Sequence, residues 1–178
     1  KKNENTFFTM FLKNYHHFEN KETIMLMVII LFSFLIRIPV ILIYGDTSLE
    51  NEWKIIVYNL VEHGSLAFRN FDGYLLPNLY MPPLYPIYLY LFSFFDLSEN
   101  NYIFLILLSQ AFLASVSVII FYKVNRFFFS QKISFYSSVL FSIFPLHLYA
   151  CSQISSVSIQ TFLIILFFYF FLSYMRNK

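Results

Sequence analysis

Few side chains in this chain could do chemistry. Of ten acids, Asp46, Glu50, Glu52, Glu62, Asp72, Asp96 and Glu99 all fall in residues 45–101, and none follows Glu99. Beyond the N-terminal segment, which holds Glu4, Glu19 and Glu22, acid–base work by a positioned carboxylate is therefore confined to residues 45–101. Asp46 comes at the end of a long apolar run, in Tyr44-Gly45-Asp46, and Glu52 lies six residues on. Arg37 sits inside the same apolar run. A charge there is costly and functional by default. Lys54 and Arg69 are the cations of the acid-rich segment, and His147 lies between Pro145 and Tyr149 in a later apolar run. The single cysteine, Cys151, makes no disulfide or zinc pattern within the chain. No His, Cys or acid set has metal-ligand spacing. Three glycines leave no Gly-rich phosphate loop. We expect no bound metal and identify no cofactor.

The elements that must position these residues follow from composition. Of 178 residues, 58% are hydrophobic, 22% aromatic and 12% charged. Soluble domains run nearer 45–50% apolar and about 25% charged. The pattern excludes disorder and predicts an all-α membrane protein in contact with the lipid bilayer. A net charge of +2 gives no argument for nucleic acid. A span needs about 20 apolar residues. About four transmembrane helices are expected, over residues 24–44, 102–122, 133–149 and 154–175. The first is too long and too late for a signal peptide. Lys1, Lys2, Lys13 and Lys21 precede it, Lys123, Arg126 and Lys132 lie between spans two and three, and Arg176 and Lys178 follow span four. The positive-inside rule then places the N-terminus in the cytoplasm and residues 45–101 outside. Residue usage suggests a bacterial inner membrane. Residues 1–23, with Phe7, Phe8, Phe11 and Phe18, read as an interfacial cytoplasmic segment.

Within the outer loop, Thr47 to Glu50 fits a capping box, opening a helix that stops at His63-Gly64. Leu49, Trp53, Ile56, Val57 and Leu60 share one face, which predicts an amphipathic helix on the membrane surface. Residues 64–83 read as a polar connection. Leu84–Phe95, opened by Pro82-Pro83 and rich in Tyr, is too short to span and predicts a second interfacial helix.

The order is Arg37 late in the first span, Asp46 past its end, a helix ending NLVEHG, then YMPPLYPIYLYLF. It resembles the first outer loop of the GT-C glycosyltransferases, which include protein O-mannosyltransferases, lipid A aminoarabinose transferases and oligosaccharyltransferase catalytic subunits. SIFPLHLYACSQISSVSIQTFL is similar to their third-span exit and second outer loop. The likeness covers about residues 30–175, and full members are longer, so the chain looks like an N-terminal part. The resemblance implies transfer of a sugar from a polyprenyl-phosphate-linked donor to a glycan, lipid or protein acceptor at the outer face. Asp46 then matches the family's general base, and Glu52 is a candidate second acid. Arg37, Lys54, Arg69, His147 and Tyr85 become candidates for holding the lipid phosphate, the sugar or the lipid. Metal-dependent relatives carry acids in the second outer loop, where residues 151–156 have none.

Each position also has a structural reading. Asp46 suits a helix N-terminus, Glu50 a cap, Arg37 snorkelling to the headgroups, His147 a helix end, and Tyr85 the aromatic belt. A transporter or channel subunit would instead show broken helices at the midplane with polar residues on a pathway. A non-catalytic multi-pass protein is the third alternative.

Overall fold

The computed structural model describes residues 20–49, 51–71, 74–77, 81–95 and 97–177. Residues 1–19, Glu50, Asp72, Tyr80, Asp96 and Lys178 lie outside the described residues, so the N-terminal interfacial segment does too, apart from its last residues. Among the described residues the chain forms seven helices and one β-hairpin. These are α1 (Asn20–Tyr44), α2 (Asn51–His63), β1 (Ala67–Phe71), β2 (Tyr74–Pro77), α3 (Leu84–Ser93), α4 (Glu99–Asn125), α5 (Gln131–Ser142), α6 (Pro145–Ala150) and α7 (Val157–Arg176).

Three of the described helices, α1, α4 and α7, are long and apolar enough to cross a membrane. Helix α4 is the hub, packing on α1, α5 and α7. Ile24, Met27, Leu31 and Leu35 of α1 and Ile164, Phe167, Phe168 and Phe171 of α7 point outward. Exposed apolar side chains along whole helices suit hydrocarbon rather than water. The interior is correspondingly rich in small polar residues. Ser115, Ser117, Ser134, Ser138 and Ser142 are buried, and each hydroxyl donates to a carbonyl three or four residues back in its own helix. Satisfied locally, they let helix backbones approach without leaving an open polar group in an apolar medium.

The third expected span, 133–149, is not one helix. Helix α5 has twelve residues, about 18 Å, and α6 has six, with a break at Ile143-Phe144 before Pro145. Proline lacks an N–H and clashes with the preceding turn, so it starts a helix more readily than it continues one. The pair still carries the chain from one end of the bundle to the other. At one end, the Tyr122 hydroxyl donates to Glu22 Oε1 (2.6 Å), and Arg126 Nε lies 3.6 Å from the same oxygen. At the other, the Asp46 backbone N–H donates to Ser152 O (3.1 Å).

The outer-loop expectations need three corrections. Ser48 and Leu49 are not helical and helix α2 is described from Asn51, so Thr47 is not its N-cap; Glu50, the other half of the expected capping box, lies outside the described residues. The expected stop holds: Gly64 adopts φ +63°, a conformation that suits glycine. The apolar face of α2 is covered by protein. Ile56 and Val57 are buried, α2 packs on α3 and β1, and the Trp53 ring meets Tyr85 edge-on at 4.8 Å. Finally, residues 64–83 hold a hairpin with β1 antiparallel to β2 and a register irregularity between Ala67 and Arg69. Asn59 Nδ2 donates to Ala67 O (2.8 Å) and ties the hairpin to α2.

Candidate functional site

Asp46 is held where α1 ends. The Gly45 N–H donates to Ile41 O (2.8 Å), closing the last turn of α1, and the chain then turns to meet the α6–α7 connection. A Cβ on Gly45 would fall on the Ile41 carbonyl oxygen and lie 3.1 Å from Leu107 Cδ1. Only glycine lets this exit approach α4 so closely. The Ile154 N–H donates to Asp46 Oδ2 (2.6 Å), and Gln153 Nε2 donates to Tyr44 O (2.7 Å). The carboxylate is thus fixed by the loop after α6, more than a hundred residues away in sequence.

Beside Asp46 a cleft of about 350 Å³ opens between the end of α1 and the start of α4. Its walls are Ile41, Leu42, Gly45, Ile103, Phe104 and Leu107, and its polar rim is Asp46, Thr47 and Asn100. Leu42 and Phe104 are also exposed on the outer surface of the bundle. The cleft therefore joins a carboxylate to an apolar, laterally open wall.

Tyr85 is buried on α3 near this carboxylate. Burial pushes its hydroxyl well above the usual phenol range, and Tyr88 and Asp46 add to the rise. It remains a neutral donor. Its ring stacks near Tyr88 at 5.9 Å, and Tyr88 in turn hydrogen-bonds Ser109 on α4.

Arg37 and His147 come together, which their separation of 110 positions in sequence does not foretell. Arg37 is fully buried and neither snorkels nor pairs with Asp46. Its Nη1 donates to the Ser33 carbonyl and to Ser33 Oγ (2.6 Å), and its Nη2 meets His147 Nδ1 at 3.0 Å. With arginine as the donor, Nδ1 accepts and the imidazole proton sits on Nε2. His147 stacks on Phe141 at 4.6 Å, so α5 and α6 meet at this histidine. The Cys151 thiol lies against the guanidinium and donates to Leu148 O (3.0 Å).

The remaining candidates stand apart. Glu52 is partly buried in the first turn of α2. Lys54 pairs at 3.6 Å with Glu99, both largely exposed. Arg69 is in β1, and its side chain lies outside the described residues. Among the described residues no three His, Cys, Asp or Glu side chains gather as metal ligands. Sequence reasoning missed Ser33 and Cys151 as partners of Arg37, and did not single out Gln110. A lone Gln in the middle of the apolar run 102–122 was the available signal. Comparison with known protein families, with curated proteins and with solved structures finds no match to this chain.

Proposed function

We propose that the chain is the glycosyl-transferring part of a GT-C-type membrane enzyme. It takes a sugar from a polyprenyl-phosphate-linked donor and passes it to a glycan, lipid or protein acceptor at the outer face of a bacterial inner membrane. The observation that carries the reading is the cleft at Asp46. A lipid-linked sugar needs an apolar wall open to the bilayer and a polar end where the bond is exchanged, and this cleft joins the two. Asp46 serves as the general base that takes the acceptor hydroxyl proton. Its Oδ2 is occupied by the Ile154 N–H, so the proton goes to Oδ1. The buried Arg37 would act on the departing phosphate only through its field, and Lys54 and Arg69 are the cations left for direct contact. Four membrane crossings, the third broken at Ile143-Phe144, and a cytoplasmic N-terminus agree with the acids on the Asp46 side. The test is sugar transfer from a farnesyl-phosphate-linked sugar by the chain in nanodiscs, with Asp46→Asn as the variant. Loss of transfer with retained folding is expected, and near-normal transfer would refute the assignment.

One observation favours a second reading, a transporter subunit. The broken α5–α6 pass sets its interruption beside a buried arginine, as discontinuous helices do around membrane binding sites. Substrate-dependent uptake into proteoliposomes that is lost in Arg37→Met would establish it.

A further inference from the structure

Behind the Asp46 cleft lie two buried polar side chains that the described fold does not use. Gln110 of α4 is fully buried, and neither its amide oxygen nor its amide nitrogen has a hydrogen-bond partner among the described residues. The Tyr85 hydroxyl, on a residue only 2% exposed, is likewise without one. The two groups approach each other without closing a hydrogen bond. A buried polar group left without a partner destabilises the fold. Leu and Phe would fill the same space without that cost, so the pair calls for an explanation.

Position supplies one. Ile103 and Leu107 line the cleft. Gln110 follows Leu107 by three residues and Ile103 by seven, so at 3.6 residues per turn it continues the same face one turn deeper. Tyr85 reaches this region from α3, packed in one buried cluster with the cleft-wall residues Ile41, Ile103 and Leu107. A primary amide offers a donor and an acceptor side by side, and a phenol adds a second donor. Two neighbouring hydroxyls on a sugar ring present the complementary set. The cleft volume falls in the range of small-molecule sites.

We infer that Tyr85 and Gln110 form the inner end of the Asp46 cleft and bind a pair of adjacent sugar hydroxyls, the sugar coming from the lipid-linked donor or from the acceptor. The inference rests on the transferase reading and deepens it by naming what recognises the sugar. Farnesyl phosphate, farnesyl-phosphoryl-mannose, farnesyl-phosphoryl-arabinose and the methyl glycosides of both sugars are titrated against the chain in nanodiscs. The wild type, Tyr85→Phe, Gln110→Leu and Asp46→Asn are compared, with melting temperature measured in parallel. The wild type should bind at least one sugar-bearing probe on the order of tenfold tighter than bare farnesyl phosphate, or bind a methyl glycoside measurably. Tyr85→Phe and Gln110→Leu should erase that preference, leave bare farnesyl phosphate affinity unchanged and keep or raise the melting temperature. Loss in the lipid-linked arm assigns the pair to the donor, and loss in the glycoside arm to the acceptor. A wild type indifferent to the sugar, or variants that keep its preference, overturns the inference. If Asp46→Asn still transfers sugar while the two variants lose preference, the assigned base fails and the sugar site stands.

Discussion

Asp46→Asn separates two duties that one carboxylate performs. The first is structural. Its Oδ2 accepts the Ile154 N–H at 2.6 Å and so pins the loop after α6 to the end of α1. Asparagine keeps the shape, and its carbonyl can accept the same N–H. A charge-assisted bond worth about 1.5–3 kcal/mol then becomes a neutral one worth about 1 kcal/mol. The expected loss of stability is about 1 kcal/mol, a few degrees in melting temperature at most for a chain of this size. The second duty is chemical. An amide has no basic oxygen, and removing a general base costs on the order of 10²–10⁴ in rate. Trp53 is the only tryptophan, and it packs on Tyr85 close behind the site. Its fluorescence on heating reports folding, while sugar release from a farnesyl-phosphate-linked donor reports transfer. The reasoning predicts a small thermal shift with a large loss of rate. A variant that melts much earlier and loses transfer in proportion would make Asp46 a structural clasp only.

Gly45→Ala should destabilise by about 1–3 kcal/mol, because its Cβ meets the Ile41 carbonyl and crowds Leu107; thermal unfolding checks this, and an unchanged melting temperature would show that the α1–α4 contact yields. His147→Leu should destabilise by about 2–4 kcal/mol by removing the acceptor of a buried arginine. The double variant with Arg37→Met should cost less than the sum of the two singles, and additivity in that cycle would mean the pair is not coupled. Lys54→Ala should change stability by less than about 0.5 kcal/mol at physiological salt, since both Lys54 and Glu99 are mostly exposed; a larger thermal shift would point to an unrecognised role for Lys54.

Much of this was legible in the sequence because it depends on local composition. Apolar runs of sufficient length marked α1, α4 and α7, since a segment either suits hydrocarbon along its length or does not. Gly64 marked the end of α2, and Pro82-Pro83 the start of α3, because both act through their own backbone. The periodicity of Leu49, Trp53, Ile56 and Val57 gave an apolar face but not what covers it. A bilayer and the packed surface of α3 and β1 offer such a face the same transfer free energy. The hairpin at residues 67–77 escaped because its support comes from Asn59 on α2, not from its own pattern. Pairings across the chain were decided by tertiary structure alone. Arg37 could be seen as an expensive charge, yet its partner is 110 residues away and is brought to it by the break between α5 and α6. Asp46 could be seen at the exit of a span, yet only folding sets Ile154 on one carboxylate oxygen and Tyr85 and Gln110 behind it. One-dimensional spacing fixes which face of an element a residue occupies. What that face meets depends on how the helices pack, and in this chain small buried serines and one glycine set how closely they do so.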